Sequence, residues 1–478
     1  MIKAKAFLDR PLKFFISLAA VIYFIVILTN DGFMALDEYW VGITRYIPAQ
    51  TSSVQNLVTS DDVKSPLQML PMHGVAQAAL FMGIESPYLQ YRSVISVLAV
   101  LNFCLMLFAF LKFSEVMNLT NREKNLLLLM LTFYFGASFS FTRPMYESIS
   151  APWLALAGVW ALRYDFYGRV KDLVWGVVFA SIAFILRQQL GFCALIFILL
   201  PMMKKNFRHF WIASSVGLLI FVLAGIPDYF LRGKFHFSLL NLTLYNYQHG
   251  EDYGRKPITF YPLLILAMSF FPFFIKKYPT ELGRSLFIKM RSTWVILFLF
   301  VFLHSLFPQK WERFLISIIP LLLFLVFPYL SYLQKNFKQN RWRLISLYSL
   351  NGIIFFAASF FSPQKNLIEM SLYLDKHPEI RKIHRLNDTP GWITEAFVLD
   401  KKFQFVESNS QLLAQENWQD CSNAVVIAKH DLKDHEALVQ KLHLKAQFNV
   451  NIIEQVAYKL NPKNNARRVQ LNLFTGCE

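Results

Sequence analysis

Two adjacent carboxylates, Asp37 and Glu38, stand in the run Ala35-Leu36-Asp37-Glu38-Tyr39-Trp40. A carboxylate held among aromatic residues at a membrane edge can take a proton from a hydroxyl as general base. The plainer reading is that both acids are solvated loop residues and that Tyr39 and Trp40 belong to an aromatic belt. A second set of residues is cationic: Lys64, Arg143, Arg187, Arg255, Lys256, Lys310 and Arg313, with Glu312 beside the last. These types suit a phosphate, Arg through its bidentate fork and Lys as a point charge. Headgroup contact and snorkelling are the plainer explanation for at least half of them. Arg187 resists that explanation, because Leu186-Arg187-Gln188-Gln189 sets a cation and two amides into an otherwise apolar stretch.

Other chemistries find little support. The 10 His show no HExxH or comparable metal-ligand spacing. Asp61-Asp62 is not a DxD motif for a nucleotide sugar, and there is no Gly-rich phosphate loop. A nucleotide-activated donor and zinc hydrolysis are therefore disfavoured, and no metal ligands are assigned.

Such residues need elements to hold them, and composition says what kind. With 55% hydrophobic residues and 48 Phe in 478, the chain carries more apolar surface than one water-soluble core can bury. Apolar runs long enough to cross a hydrocarbon layer of ~30 Å recur along it. The pattern predicts a polytopic α-helical membrane protein of about 11 transmembrane helices, near 12–29, 93–111, 125–141, 148–162, 173–186, 190–203, 210–231, 258–275, 292–307, 314–334 and 344–361. The first run follows Lys3, Lys5, Arg10 and Lys13 like a secretory signal, but no small-residue cleavage site follows it, so a retained helix is expected.

A cytoplasmic N-terminus places the basic loops, such as Lys204/Lys205/Arg208 and Lys335/Lys338/Arg341/Arg343, inside. The active face and the C-terminal segment are then extracytoplasmic. The net charge of +17 belongs to the membrane part, so anionic lipid explains it better than nucleic acid does. The first outward loop, 30–91, holds an apolar segment, Leu67 to Met82, interrupted by Pro71 and His73, which is expected to lie in the interface or to be partly re-entrant.

Two domains are expected, a membrane domain over 1–362 and a small soluble α/β domain over 363–478. In the second, Leu367–Leu374 and Ala437–Leu444 look helical, while Phe403–Val406, Ala424–Ala428, Ala446–Tyr458 and Val469–Phe474 look like strands. In an oxidising compartment Cys421 and Cys477 could pair, whereas Cys104 and Cys193 fall in membrane spans.

Taken together, the outward motifs resemble those of the Alg9-like mannosyltransferases, glycosyltransferase family 22 of the GT-C class. That family has an Asp-Glu pair after its first span, similar to Asp37-Glu38. Lys64-Ser65 and Gly83-Ile84-Glu85-Ser86-Pro87-Tyr88 resemble its next two segments, and Thr142-Arg143-Pro144 resembles its Thr-Arg-Thr signature. Leu186-Arg187-Gln188-Gln189 is similar to its Leu-Arg-x-Thr element. Tyr245-Asn246-Tyr247 and Tyr253-Gly254-Arg255-Lys256-Pro257-Ile258-Thr259-Phe260-Tyr261 resemble its long outward loop. Finally Gln309-Lys310-Trp311-Glu312-Arg313-Phe314, with Pro320 following, resembles its His-Lys-Glu-x-Arg-Phe motif.

The resemblance covers about residues 12–335. It implies a GT-C-like fold and an inverting transfer of a sugar, commonly mannose, from a polyprenyl-phosphate donor to a glycan, lipid or protein acceptor of the cell envelope. By the same analogy Asp37 is the base, Glu38 shapes its surroundings, and Lys64, Arg143, Arg187, Arg255, Lys256, Lys310, Glu312 and Arg313 contact donor phosphate or sugar. The donor already carries a good leaving group, so no cofactor is required, and the need for a divalent metal is left open. Several positions depart from the family pattern: Val41 for Gln, Lys64 for Arg, Ser150 for an acid, Gln309 for His, and Lys256 and Thr259 for the paired His. Two other readings remain: a related GT-C enzyme such as an aminosugar transferase, polymerase or ligase, and a transporter or flippase of lipid-linked sugar. The absence of an evident repeat and the gathering of charge on one face favour an enzyme.

Overall fold

The structure, a computed structural model, describes residues 7–33, 38, 65–251, 254–269, 280–386, 404–409, 413, 416–465 and 468–477. The described chain runs through helices α1 (Leu12–Thr29), α2 (Pro66–Phe81), α3 (Pro87–Val116), α4 (Asn121–Phe133), α5 (Ser138–Phe141), α6 (Tyr146–Tyr167), α7 (Val170–Leu186), α8 (Gly191–Met203) and α9 (Phe207–Arg232). It continues through α10 (Phe237–Gln248), α11 (Phe260–Met268), α12 (Thr280–Lys289), α13 (Arg291–Leu306), α14 (Ile319–Lys335), α15 (Phe337–Phe360) and α16 (Lys365–Lys376). Short 3-10 turns, Gln188–Leu190 and Glu312–Ile318, precede α8 and α14.

Among the described residues five helical runs are long and apolar enough to cross a membrane: Leu12–Thr29, Pro87–Val116, Phe207–Arg232, Glu312–Lys335 and Phe337–Lys376. A sixth is added if Gly283–Lys289 and Arg291–Leu306, bent by 85° at Met290, count as one span. The protein is therefore an integral membrane protein by composition, with fewer uninterrupted spans than the 11 expected. The expected span 125–141 breaks at Tyr134, and those at 173–186 and 190–203 form α7 and α8, only 17 and 13 residues long, on either side of a break at Arg187. Polar groups at the second break are the ones that matter for chemistry below.

One compact unit comprises Met1–Ile27, Ser53–Met72 and Ile95–Ser359. At its centre lies α6, buried along nearly its whole length from Glu147 to Tyr164. Its core positions read Ser, Ala and Gly more often than Leu, the small residues that let helix backbones approach closely. Gly158 shows how closely: a Cβ there would lie 2.2 Å from Leu321 Cδ2. In Glu312–Lys335 the apolar window is 78% buried, against 17% in Phe207–Arg232, so the former is an inner helix and the latter a peripheral one. Helix α4 starts on a capping box, in which Thr120 Oγ1 accepts from the Glu123 backbone and Glu123 accepts from the Thr120 backbone.

The second unit draws on three stretches, Leu28–Ser52, His73–Val94 and Phe360–Glu478. It thus joins chain expected in the membrane domain to the C-terminal segment. Five strands form one sheet: β1 (Lys382–Leu386), β2 (Gln404–Ser408), β3 (Asn423–Ala428), β4 (His443–Phe448) and β5 (Leu471–Thr475), in the order β2-β1-β3-β5-β4. Strands β2, β1 and β3 are parallel, and β5 runs antiparallel to both β3 and β4. Every residue of β3 is buried. Ala424, Val426 and Ala428 enter one core with Leu367, Met370 and Leu374 of α16, while Val425 and Ile427 enter another with Leu442 and Phe474. Cys421 and Cys477 are joined as a disulfide, with Cα atoms 5.3 Å apart, where β3 begins and β5 ends.

Two expected elements of this unit differ. The run 446–458, read as one strand, is the end of β4 followed by helix α18 (Ile452–Leu460). Its β-branched residues suggest a strand, but Asn451 accepts from the Glu454 backbone and caps a helix, and the cap prevails. The helix expected over 437–444 shrinks to α17 (Glu436–Val439), because His443 and Leu444 pair with β5. The segment 67–82 does form a helix, and Pro71 sits within it.

Candidate functional site

In the first compact unit, three ionic side chains from three parts of the sequence share one buried position. Glu147 lies in the first turn of α6, where a carboxylate complements the positive end of the helix dipole. Arg187 follows the last residue of α7, in extended backbone, and its Nη1 lies 2.5 Å from Glu147 Oε1. Arg313 belongs to the 3-10 turn before α14, and its Nε is 4.0 Å from the same oxygen. Two guanidiniums therefore face one carboxylate out of water.

The surroundings hold this geometry. Arg187 Nη2 donates to Gln189 Oε1 at 2.5 Å, and its guanidinium lies 5.0 Å from the centre of the Phe314 ring. Arg187 Nε is buried and has no hydrogen-bond acceptor among the described residues. Ser150 and Ser317 hydroxyls sit 3.1 Å apart, and both donate to the Glu147 carbonyl, at 3.1 and 3.3 Å. The pair ties α6 to the turn that carries Arg313.

Beside this cluster, Tyr261 is fully buried, and Arg187, Glu312 and Arg313 all act on its hydroxyl electrostatically. That hydroxyl donates to the Trp311 carbonyl at 3.2 Å and accepts from the Trp311 amide at 3.1 Å, which fixes the turn. The ring of buried His304 meets Tyr261 edge-on, 6.4 Å between centres. Lys256 pairs with Glu312 at 2.9 Å and lies over the Phe260 and Trp311 rings. Lys310 Nζ donates to the carbonyls of Lys256 and Phe307, and burial lowers the pKa of its ammonium from the ordinary lysine value. Among the described residues, Arg187, Lys256, Lys310 and Arg313 thus gather with the carboxylates Glu147 and Glu312, and cations of these types suit an anion.

Of the residues singled out from the sequence, the structure gathers Arg187, Lys256, Lys310, Glu312 and Arg313. Arg143 is fully buried in the turn between α5 and α6. Arg255 pairs with Glu251 on the exposed surface and does not join the cluster. Glu38 is buried, in the second unit. Asp37 and Lys64 lie outside the described residues.

Glu147, Tyr261 and His304 were not singled out. The acid that the family pattern puts at position 150 stands here one helical turn earlier, on the same face, and Ser150 binds its backbone. A lone carboxylate at the head of an apolar helix was the available signal for Glu147. An apolar cavity of about 620 Å³ lies among α4, α14 and α15, and none of the ionic residues lines it.

The model of the Alg9-like mannosyltransferase family matches residues 59–391, more than half of the chain. The chain belongs to the Alg9-like mannosyltransferase family. This Alg9-like protein is accordingly a glycosyltransferase. The match includes every member of the Glu147–Arg187–Arg313 cluster and begins after Asp37 and Glu38. No curated protein matches the chain. Two solved structures of ArnT from Cupriavidus metallidurans share its fold, one in the apo state and one bound to undecaprenyl phosphate. Their TM-scores are 0.57 and 0.54, each at 10% identity, covering 96% of this chain and 97% of theirs. At that identity the likeness is one of fold, the GT-C fold.

Proposed function

We propose that this Alg9-like protein transfers a sugar, mannose, from a polyprenyl-phosphate donor to a glycan or lipid acceptor on the extracytoplasmic face, with inversion. The observation that carries this reading is the buried Glu147–Arg187–Arg313 cluster. A charge within a membrane protein is costly and needs partners, and here the buried Arg187, already paired with Glu147, keeps one N–H without an acceptor among the described residues. A phosphate monoanion or dianion brought beside this group gives that N–H its acceptor, and Arg187 Nε supplies a donor already dehydrated. The undecaprenyl phosphate in one structure of the same fold is a ligand of that chemical kind.

Asp37 is the base of this reaction: it takes the proton of the acceptor hydroxyl as that oxygen attacks the anomeric carbon. The bond from that carbon to the phosphate oxygen breaks, and the lipid phosphate leaves with its electron pair, held by Arg187, Arg313, Lys310 and Lys256. A β-linked donor gives an α-glycoside. Glu38 shapes the environment of Asp37, and Lys64, Arg143 and Arg255 are further contacts to donor phosphate or sugar. The N-terminus is cytoplasmic and the C-terminal α/β segment, 363–478, is extracytoplasmic. A disulfide between Cys421 and Cys477 suits that oxidising side.

The decisive experiment measures transfer of radiolabelled mannose from polyprenyl-phosphate-mannose to a native envelope extract, with wild type and Asp37→Asn side by side. Label in an extracted product with wild type alone supports the donor and the base. Full turnover by a folded Asp37→Asn protein removes Asp37 from the base role. No transfer by folded wild type removes mannose, and other polyprenyl-phosphate sugars are then tried in the same assay.

A further inference from the structure

Helix α18 (Ile452–Leu460) turns the wrong way for a helix in water. Its buried residue is an acid, Glu454, while Ile452, Val456 and Leu460 are 63%, 51% and 81% exposed. At 100° per residue these three, with Ile453, make a stripe about 100° wide on the side opposite Glu454. The acid faces inward for a reason. Both of its carboxylate oxygens accept from the Gln364 backbone at 3.0 Å, and Arg468 Nε is 3.6 Å away. Among the described residues nothing covers the apolar stripe.

The same contacts tie the helix to residues at the ends of candidate membrane spans. Asn451, its capping residue, donates to the Ser362 carbonyl at 2.8 Å. Ser362 lies two residues beyond α15 and also donates to Asp31 at 2.7 Å, two residues beyond α1. Asp31 accepts in turn from Tyr88 at 2.6 Å, at the start of α3. The ends of three helices long and apolar enough to span a membrane therefore converge on Asp31, and α18 is hydrogen-bonded to that junction. Lys459 borders the stripe and is exposed, where an ammonium can reach anionic headgroups.

We propose that α18 is a membrane-docking helix: Ile452, Val456 and Leu460 enter the acyl boundary of the bilayer into which α1, α3 and α15 run. The helix would lie in the plane of the interface, as short amphipathic helices do. Docked so, it holds the C-terminal sheet against the lipid surface at the level where a lipid-linked donor presents its headgroup. This inference requires the membrane spans and does not depend on the identity of the donor sugar or of the base.

The test is nitroxide accessibility in full-length protein reconstituted in nanodiscs of phosphatidylethanolamine and phosphatidylglycerol. Cys104 and Cys193, the free thiols, are first replaced by Ala, keeping Cys421 and Cys477. Spin labels are then placed by Val456→Cys, Leu460→Cys and, as an exposed control, Asp434→Cys. Non-reducing mass mapping of the 421–477 link verifies that each variant is folded. The expected result is collision with molecular oxygen severalfold above collision with a water-soluble nickel chelate at 456 and 460, and the reverse at 434. Nickel access at 456 and 460 equal to that at 434 would overturn the proposal. Shielding of both positions from both reagents would also overturn it, by showing a protein partner or a second copy on the stripe.

Discussion

Glu147 at the head of α6 and Arg187 at the foot of α7 form a 2.5 Å ion pair from which solvent is almost wholly withdrawn. Forty residues of helix, turn and helix separate them in sequence, and Arg313 completes the group from a third segment. A buried pair broken at one partner leaves the other charge without compensation, at about 3–5 kcal/mol. Glu147→Gln, which keeps size and removes charge, leaves both guanidiniums exposed to each other. It is expected to lower transfer by about 100-fold, the scale on which single preorganised donors act. Rates on protein verified as folded decide the matter.

Arg187→Lys separates charge from geometry. Lysine keeps the cation but not the fork that reaches Glu147 and Gln189 together. A loss of transfer close to that of Arg187→Ala is expected. Wild-type rates in Arg187→Lys would reduce the role of Arg187 to a point charge.

Gly32 directly follows Asp31, three residues beyond the end of α1, in a contact that admits no side chain. A Cβ at Gly32 would lie 1.7 Å from the Pro363 carbonyl oxygen. Backbone must then move, and Gly32→Ala is expected to destabilise the protein by about 1–3 kcal/mol, the usual range of overpacking. Gly74→Ala is the control, because nothing lies within 4 Å of its Cβ and it sits in helix α2. Thermal melts in detergent should show a lower midpoint for the first and an equal or higher one for the second.

The Cys421–Cys477 link closes a sequence separation of 56 residues and joins the ends of neighbouring strands. Removing such a bridge costs about 2–5 kcal/mol in small secreted domains. Mass mapping of protein purified without reductant is expected to show the two peptides linked. Free thiols at both positions would remove the extracytoplasmic argument that rests on them.

Glu123 gives a pH dependence with a defined sign. Burial raises its pKa, but the Lys335 ammonium at 2.8 Å and the Thr120 backbone and hydroxyl outweigh this and bring it down to about 2, from an ordinary 4.5. A carboxylate depressed in the folded state stabilises it fully above its unfolded pKa, and that contribution fades as pH falls from 4.5 toward 2. Midpoints for wild type and Glu123→Gln should differ at pH 7 and converge over that interval. A constant difference down to the acid end would remove the Glu123 carboxylate charge as its source.

The membrane class, a sheet with helices near the C-terminus and several of the cations that the fold gathers were legible in the sequence. Apolar excess and the 3.6- and 2-residue periods depend only on local order, so the chain displays them directly. Arg187, Lys310 and Arg313 could be picked out because an ion in an apolar stretch is expensive wherever it ends up. The Asn451 cap was equally local, but the β-branched run beside it pointed the other way.

What only tertiary structure decided is which charges meet. Glu147 looks like an ordinary helix-start acid until α7 ends beside it, and Arg255 looks like Arg187 until it is found on the exposed surface with Glu251. The same holds for the grouping of 73–94 with the C-terminal sheet in one compact unit, and for the outward apolar stripe of α18. The sequence by itself determined what each segment must bury and, through its motifs, that a membrane-embedded glycosyltransferase was in view. The pairing of segments far apart in the chain is a long-range packing outcome, and no local period records it.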